Sequence, residues 1–370
     1  MDVSVPRDDL ANAARMAAMV VRSTTQYQVV HLSASADSLT LSASNGTGLD
    51  FQATISATVA DPGDTTADPD ELASMVAKLP MGTVRLQSDG GLLATMPTAC
   101  GKVKRMTGAD PTPPRPTPDG APGIVMDAAT SAAMWRRAKR SACKDRTRTS
   151  ITAVLWERHG DALRWTTTDG HRLALLHCPA DVADAWEPLS IPTDTMKVLA
   201  LAAEQSRQPV RVWRSDVEVP GGKAPIMRPG AVAECGAVRL AMLAPMEDFP
   251  NYRMVIPDDP PELRIAVNVK ALADVAKRIV WHPNRALMTI RDGRLSLARL
   301  DGTASGHLGV EILAGDAVEV GIDPRYLADA LTALCVPRAT VTFRAPLGPI
   351  IFREYTEDSC DMVLVMPQRL

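Results

Sequence analysis

One polar cluster in the sequence has side chains that could carry out acid–base chemistry. The segment Asp169-Gly170-His171-Arg172 places a carboxylate two residues before an imidazole, and such a pair can move protons. Two similar turns, Asn45-Gly46 and Asp301-Gly302, have no histidine after them. A lone histidine beside a turn is more often a structural residue, so we expect a structural turn here and no catalytic residue.

Other motifs of catalysis are missing from the sequence. It contains no GxGxxG, GxxxxGK[ST], HExxH or GxSxG segment, which are the motifs of phosphate loops, zinc hydrolases and nucleophile elbows. The six cysteines are scattered and form no CxxC pair, so we expect buried reduced thiols rather than disulfides or metal ligands. The sequence therefore predicts a protein that is not an enzyme and has no cofactor and no metal.

The chain repeats one pattern three times. The segments SLTLSASNG, ALRWTTTDG and RLSLARLDG, around Leu39, Leu163 and Leu295, each set a leucine six residues before an Asn/Asp-Gly turn. The copies lie roughly 120–130 residues apart, which is the length of a compact domain. Pro69, Pro192 and Pro324 follow the three turns at similar distances. A period of this length indicates three related domains and not a solenoid.

Each repeat predicts two helices and several strands. Apolar residues at helical spacing indicate a first helix around Leu10–Val21 in the first repeat. In the third repeat they indicate one that follows the N-cap Asn268 and includes Leu272, Val275, Ala276 and Ile279. The alternating segments LTLSAS, LRWTTT and LSLARL are typical of half-buried antiparallel strands. The repeated prolines suit the start of a second helix. We predict an α+β fold of three similar domains, each with two helices on antiparallel sheet.

The predicted domains are residues 1–118, 119–250 and 251–370. A proline-rich segment at Asp110–Gly123 is expected to be a stiff linker between the first two, and Glu247–Glu262 to join the last two. The chain is 46% hydrophobic and has no apolar run long enough to span a membrane. Its beginning, MDVSVPRDDL, does not resemble a secretory signal, so we expect a cytoplasmic, nucleoid-associated protein without a membrane partner.

Positive charge is concentrated on the predicted helices, although the net charge is −3. Seven Lys or Arg residues lie between 136 and 148, and Arg136, Arg140 and Lys144 are spaced as one stripe of a helix. A single lysine on a helix could simply belong to an ordinary solvent-exposed face. The cluster of seven cations instead favours a phosphate backbone as the binding partner. The cations expected to face such a backbone are Arg15, Arg22, Lys78, Arg136, Arg137, Lys139, Arg140, Lys144, Arg146, Arg148, Lys197, Lys270, Lys277 and Arg325.

Three segments resemble one known family. TTDGHRLAL at Thr167–Leu175, DFPNYRMVIP at Asp248–Pro257 and LVMPQRL at Leu364–Leu370 are similar, in sequence and in order, to the bacterial DNA polymerase III beta subunit, the replicative sliding clamp. The threefold repeat and the chain length agree with this resemblance. It implies a head-to-tail homodimer, a ring of six domains whose helices line a hole around duplex DNA.

The resemblance also implies the partners of the chain. A clamp of this family is a processivity factor that binds DNA without regard to sequence and tethers the DNA polymerase III catalytic subunit, and it also binds the clamp loader and other proteins with clamp-binding peptides. An alternative is a clamp-derived adaptor, or an inhibitor-resistant second clamp, which keeps the ring and the pocket as a scaffold for those peptides.

The family binds peptides in a pocket between its second and third domains. By motif the pocket residues are Ile151, Thr168, Gly170, His171, Arg172, Leu173, Pro250, Met254, Val255, Asp323, Tyr326, Leu347, Pro349, Leu364, Val365, Met366, Pro367 and Arg369. Several of these, Val365 above all, could equally be core or strand residues. Met254, Asp323 and Gln368 depart from the family pattern, so the resemblance predicts an altered peptide specificity.

Overall fold

The computed structural model describes residues 1–22, 29–88, 92–96, 99–103, 117–219, 226–280, 285–344, 347–355 and 360–369. The first half of the predicted proline-rich linker, residues 110–116, lies outside these ranges. The described residues form two compact units. The first comprises Met1–Ala132 and Ala180–Ala244, and the second comprises Ala133–Pro179 and Pro245–Leu370.

The chain combines helices with strands that pair antiparallel, which confirms the predicted α+β fold class. The helices are α1 (Arg7–Val21), α2 (Pro69–Lys78), α3 (Ala128–Ala138), α4 (Thr193–Ser206), α5 (Val269–Ile279) and α6 (Pro324–Leu334). The strands are β1 (Asp2–Pro6), β2 (Val30–Ser35), β3 (Ser38–Ser44), β4 (Leu49–Ser56), β5 (Thr58–Asp61), β6 (Gly63–Ala67), β7 (Thr83–Ser88), β8 (Leu92–Met96), β9 (Ala99–Val103), β10 (Ile124–Met126), β11 (Ala153–His159), β12 (Ala162–Thr168), β13 (Arg172–Cys178), β14 (Asp181–Val182), β15 (Leu189–Pro192), β16 (Val210–Arg214), β17 (Val217–Val219), β18 (Ile226–Arg228), β19 (Gly230–Cys235), β20 (Val238–Leu243), β21 (Leu263–Asn268), β22 (Ala286–Arg291), β23 (Arg294–Arg299), β24 (Ser305–Gly309), β25 (Glu311–Ala314), β26 (Val318–Ile322), β27 (Arg338–Phe343), β28 (Ile350–Glu354) and β29 (Met362–Val365).

The sheets join strands from different sequence repeats. The first unit contains a sheet with the strand order β14-β10-β16-β19-β20-β4-β3-β2-β6. Its first five strands come from the second repeat and its last four from the first repeat. The two parts join where β20 pairs antiparallel with β4. The second unit contains the strand order β11-β12-β13-β29-β28-β27-β21-β25. The first three of these strands come from the second repeat and the last five from the third repeat. The two parts join where β13 pairs antiparallel with β29. The second repeat thus contributes to both units, and the three-domain division by sequence stays a prediction.

Two smaller sheets contain the remaining strands of the first and third repeats. One, in the first unit, has the order β5-β1-β7-β8-β9, and the other, in the second unit, has the order β24-β23-β22-β26. Helix α1 packs against α2 in the first unit, and α5 packs against α6 in the second. The buried apolar side chains lie between these helices and the sheets, which is the layered arrangement expected from one apolar face on each element.

The predicted helices have the expected buried faces. In α5 the buried residues include Leu272, Val275, Ala276 and Ile279, and Asn268 caps the helix by accepting a 2.9 Å hydrogen bond from the amide of Ala271. Pro69 and Pro324 begin α2 and α6, because a proline lacks the amide hydrogen that the first turn leaves unused. Pro192 differs, since it is the N-cap of α4.

The Asn/Asp-Gly turns of the three repeats share one geometry. The side chain of Asn45 accepts a 2.9 Å bond from the amide of Thr47, that of Asp169 accepts 2.9 Å from His171, and that of Asp301 accepts 3.0 Å from Thr303. These are Asx turns, in which a side-chain oxygen replaces a backbone acceptor. The prediction that the turn has a structural origin is confirmed.

The predicted basic helix stripe is wrong beyond Ala138, where α3 ends. Arg136 lies on the helix, whereas Arg140 and Lys144 follow it. Ser141, Ala142 and Cys143 are all buried, and three consecutive buried residues do not fit a surface helix with one apolar face. The chain therefore leaves the helix, and the basic cluster continues as turns.

The cysteine prediction is partly wrong. All six cysteines are free, as expected. Cys143, Cys178 and Cys235 are buried, but three are exposed: Cys100, Cys335 and Cys360. The exposed ones lie on a terminal strand of a sheet, at the left-handed C-cap of α6, and just before β29, which are places where no layer covers the side chain.

Candidate functional site: a peptide-binding region of the second unit

The turn that follows β12 is held by one carboxylate and one hydroxyl. Asp169 Oδ1 accepts from the amides of His171 and Arg172 at 2.9 and 3.1 Å, and Thr168 Oγ1 donates to the carbonyl of Arg172 at 2.7 Å. Gly170 has φ +89°, and a Cβ there would lie 2.8 Å from the Arg148 guanidinium. The positive φ favours glycine at this position, and a larger residue would also require the flexible Arg148 side chain to move. The carboxylate of Asp169 is thus used to form the turn.

Arg172 is the central buried charge of this region. Its guanidinium donates to Asp169 Oδ2 at 2.9 Å and to Asp329 Oδ2 at 2.7 Å, and it lies 4.4 Å from the ring centroid of Tyr326. Burial by itself lowers the pKa of Arg172, but the two carboxylates outweigh it, so the net pKa lies above the ordinary value. The side chain is therefore a fixed cation that joins the turn to α6.

His171 lies on the surface side of the same turn. Its ring stacks on Tyr326 with a centroid distance of 5.8 Å and an interplanar angle of 22°, and its carbonyl accepts a 2.8 Å bond from the amide of Met366. Tyr326 is half-buried, and its pKa is raised by burial and by the nearby Asp169. The histidine thus belongs to a stacked wall between the turn and α6.

The three segments that resemble the clamp family meet here. Strand β13 pairs with β29 through Arg172 opposite Val365 and Leu173 opposite Leu364. The segment after β29 continues beside β26, where the amide of Gln368 donates to the carbonyl of Gly321 at 2.8 Å. The Phe-Pro segment reaches the same sheet through the side chain of Tyr252. Residues far apart in the sequence therefore form one surface region.

An apolar cluster forms the floor of this region. We call it the sheet cluster; its buried members are Leu173, Leu175, Tyr252, Ile351, Met362 and Leu364, with Leu155, Phe249, Ile256 and Met366 partly buried against them. Partly buried apolar side chains beside a packed core are typical of a groove that accepts apolar peptide anchors.

A second buried carboxylate fixes the Phe-Pro segment. Glu157 Oε2 accepts from the hydroxyl of Tyr252 at 2.7 Å, and its Oε1 accepts from Arg253 at 2.9 Å. Burial, together with the hydrogen bond and charge of Glu157, raises the pKa of Tyr252. The predicted site did not include Glu157 or Asp329, since nothing in their local patterns distinguishes them from ordinary strand and helix residues. It also omitted Tyr252, although this residue lies within the quoted segment Asp248–Pro257.

The remaining predicted pocket residues divide by exposure. Met254, Val255 and Leu347 are 82%, 49% and 55% exposed, and Pro250 and Arg369 are also on the surface. Pro349 and Pro367 are half-buried. Buried members are Ile151, Leu173, Leu364 and Val365, so these have the core or strand role that the sequence left open for Val365.

Asp323 has a defined local role. It is buried and caps α6 by accepting a 2.8 Å bond from the amide of Arg325, whose side chain also pairs with it at 2.7 Å. A carboxylate at this position accepts a hydrogen bond from an amide of the first helical turn that would otherwise have no partner. It also interacts favourably with the positive end of the helix dipole. The departure from the family pattern at Asp323 thus leaves the helix start intact.

Each of the six described helices has an exposed cation. These are Arg15 on α1, Lys78 on α2, Arg136 on α3, Lys197 on α4, Lys270 and Lys277 on α5, and Arg325 on α6. Arg22, just after α1, is also exposed and pairs with Asp70 at 2.7 Å. The turns after α3 expose Lys139, Arg140, Lys144, Arg146 and Arg148.

Arg137 differs from its neighbours. Its side chain is mostly buried and donates to the carbonyl of Ala333 at 2.6 Å and to that of Leu334 at 3.2 Å, and it forms an ion pair with Asp361. Arg140 is partly engaged as well, since it lies 3.2 Å from Asp329. The structure therefore uses Arg137 to connect α3 with α6 and the start of β29.

No family model matches the chain. Curated relatives do: the chain is 26% identical to the beta sliding clamp of Synechocystis over 87% of its own length and 86% of the relative's. It is 23% identical to the beta sliding clamp of Bacillus subtilis, over 84% and 82% of the two chains. The chain is thus similar to beta sliding clamps over more than four fifths of their length.

Solved structures show the same fold. The DNA polymerase III beta subunit of Thermotoga maritima matches 100% of this chain and 99% of its own, with a TM-score of 0.83 and 19% identity. That of Pseudomonas aeruginosa matches both chains fully, with a TM-score of 0.80 and 19% identity. The clamp fold that the three short motifs imply is thus confirmed over the whole chain.

The lengths of the helices agree with this similarity. Among the described residues, no helix is long and apolar enough to cross a membrane. In a beta sliding clamp fold, short amphipathic helices supported by sheet are the expected elements, and the six helices here have 10 to 15 residues.

Proposed function

We propose that this chain is a sliding clamp, a non-catalytic processivity factor that closes as a head-to-tail homodimer around duplex DNA. The observation that carries this proposal is the meeting of the three family segments in one region of the second unit, within a fold that matches clamp structures over its full length. The ring would tether the DNA polymerase III catalytic subunit and would be loaded by a clamp loader.

Sheet edges support closure of a ring from two copies. Strand β9 ends the five-stranded sheet of the first unit, and β24 ends the four-stranded sheet of the second. Terminal strands leave amide and carbonyl groups that can pair with another chain. A contact between two different edges, repeated by a twofold arrangement, closes a circle without leaving an unused end.

The distribution of cations supports a sliding mode of DNA binding. Exposed Lys and Arg are spread over all six described helices, while the chain as a whole has a net charge of −3. Contacts to phosphates hold DNA without reading its sequence. A diffuse set of them gives a shallow attraction that lets the ring move along the duplex.

The sheet cluster and its surroundings support peptide binding. Met254 and Val255, which follow Tyr252 and Arg253 in the chain, are exposed, and Met366 is partly buried against the cluster. Exposed methionines and other apolar side chains beside a packed floor adapt to short apolar anchors. We propose that clamp-binding peptides of the polymerase and of repair proteins bind here.

The solution mass tests the ring directly. Sedimentation equilibrium should give twice the chain mass of 39.6 kDa, because one chain has only half of the repeats that a six-domain ring needs. A mass of one chain under the conditions of the DNA assays would rule out the ring, even if peptide binding were intact.

Charge variants test the DNA contacts. Lys270→Ala with Lys277→Ala on α5 should weaken DNA binding at every sequence and reduce the slope of log affinity against log salt by up to about 1.8. The matched control is Arg291→Ala with Arg294→Ala, which removes two exposed cations from the β22–β23 hairpin and should leave the slope unchanged. Equal effects of the two pairs would contradict the assignment of the helices to the DNA side.

A further inference from the structure

Two histidines and a cysteine meet in the second unit, beside the sheet cluster. His159 is the last residue of β11, His177 lies near the end of β13, and Cys360 precedes β29. Their ligand atoms all lie within 4.8 Å of one another, and the two imidazole rings meet edge to face with centroids 4.7 Å apart. The fold brings together three metal-binding side chains from distant parts of the sequence.

Strand register explains the meeting. In the β13–β29 ladder Leu175 is opposite Met362, so the same register continued by two residues places Cys360 opposite His177. His177 is also paired with Arg164 of β12, which is in turn opposite Glu157 of β11. Since side chains two residues apart share a face, His159 lies on the face that carries His177.

The orientation of His177 is that of a metal ligand. Its Nδ1 lies 3.3 Å from Asp361 Oδ1, and that oxygen also accepts from the His177 amide at 2.6 Å. Its Nε2 is buried and has no hydrogen-bond partner among the described residues. Metal-binding histidines characteristically give one ring nitrogen to a carboxylate and the other to the ion, and an unpaired buried polar atom is otherwise costly.

We propose that His159, His177 and Cys360 bind one Zn²⁺ ion. Two imidazole nitrogens and a thiolate suit zinc, whereas calcium and magnesium require oxygen ligands. Zinc bonds of about 2.0–2.3 Å place tetrahedral ligand atoms about 3.3–3.8 Å apart, so the cluster must close by about 1 Å. His159 and Cys360 are exposed, and rotation of their side chains can supply this movement. Water would fill the fourth position.

Such an ion would tie the end of β11 and β13 to the segment that leads into β29. Strand β29 provides Leu364 and Met362 of the sheet cluster. Binding to the folded chain alone raises the stability of that chain by mass action. The expected consequence of zinc is therefore a higher unfolding temperature of the second unit.

Zinc titration of the full chain tests the proposal. After removal of metal with a chelator, calorimetry should show one Zn²⁺ bound per chain. Cys360→Ser and His159→Asn should each weaken zinc binding at least about tenfold. The matched controls are Cys335→Ser and His307→Asn, which change an exposed cysteine and an exposed histidine elsewhere in the second unit and should bind zinc as the parent chain does.

Cobalt provides a second readout. Co²⁺ bound in place of Zn²⁺ should show the near-ultraviolet charge-transfer band of a cobalt–thiolate bond, and this band should be lost in Cys360→Ser but kept in Cys335→Ser. Circular dichroism verifies that each variant is folded. The proposal is wrong if the parent chain binds no zinc, or if Cys360→Ser and His159→Asn bind zinc as tightly as the parent.

Discussion

Replacing Arg172 by methionine should destabilise the second unit strongly, because the charge it removes is buried. The Arg172 side chain is only 9% exposed and contacts the carboxylates of Asp169 and Asp329 at 2.9 and 2.7 Å. Removing one partner of a buried ion pair costs about 3–5 kcal/mol. Asp329 keeps Arg140 at 3.2 Å and some access to water, so we expect a loss of about 2–3 kcal/mol.

The chain offers a close control in Arg338→Met. Arg338 also pairs with a carboxylate, that of Glu311, and also lies over a tyrosine ring, 4.1 Å from the centroid of Tyr355. The two charged side chains of this pair are 46% and 51% exposed. Exposed pairs contribute about 0–1 kcal/mol, so burial is the main difference between the two variants.

Thermal unfolding followed by near-ultraviolet circular dichroism measures both variants. Trp156 and Trp165 are fully buried in the second unit and stack with centroids 5.0 Å apart, so their signal reports on its packing. With about 2–4 °C per kcal/mol for a unit of this size, Arg172→Met should lower the midpoint by about 4–12 °C and Arg338→Met by at most about 4 °C. Equal shifts would refute the claim that the buried network stabilises this region.

Three further predictions concern the pocket and its ionisable groups. Removal of residues 367–370 should weaken binding of a fluorescent peptide with Gln and Leu/Phe anchors by at least about 1 kcal/mol, as measured by anisotropy, and unchanged affinity would refute the pocket assignment. Since the pKa of Tyr252 is raised in the folded chain, stability should fall as pH rises through about 10 toward that higher value, and Tyr252→Phe should reduce this fall in alkaline melts; an identical pH profile would contradict it. Burial raises the pKa of Cys178 to about 12, so iodoacetamide should modify Cys335 well before Cys178 in the native chain, and mass spectrometry showing equal rates would contradict the burial.

Local features of the fold could be predicted from the sequence. The apolar spacing of 272, 275, 276 and 279, the cap at Asn268 and the three Asx turns depend on residues close together in the chain. Helical spacing and turn chemistry act over a few residues. The end of α3 was missed because it depends on which of residues 141–143 the rest of the fold buries.

The site was predictable only in part. The family resemblance identified the turn at Asp169 and the segment at Leu364, and the structure brings them together. It could not identify Asp329 or Glu157, whose carboxylates are partners of arginines from other elements. Long-range partners of this kind depend on sheet order, which short motifs do not encode. The same is true of His159, His177 and Cys360, which lie far apart in the sequence and form no recognisable metal-binding motif.

Retention on DNA of defined topology tests the central claim most directly. The loaded protein should remain on a nicked circular duplex at salt concentrations that remove ordinary DNA-binding proteins, and it should be released once the circle is cut to a linear molecule with free ends. Persistence on the linear DNA at the same salt, or release from the intact circle, would contradict encirclement; release from the circle with peptide binding intact would instead favour the scaffold alternative.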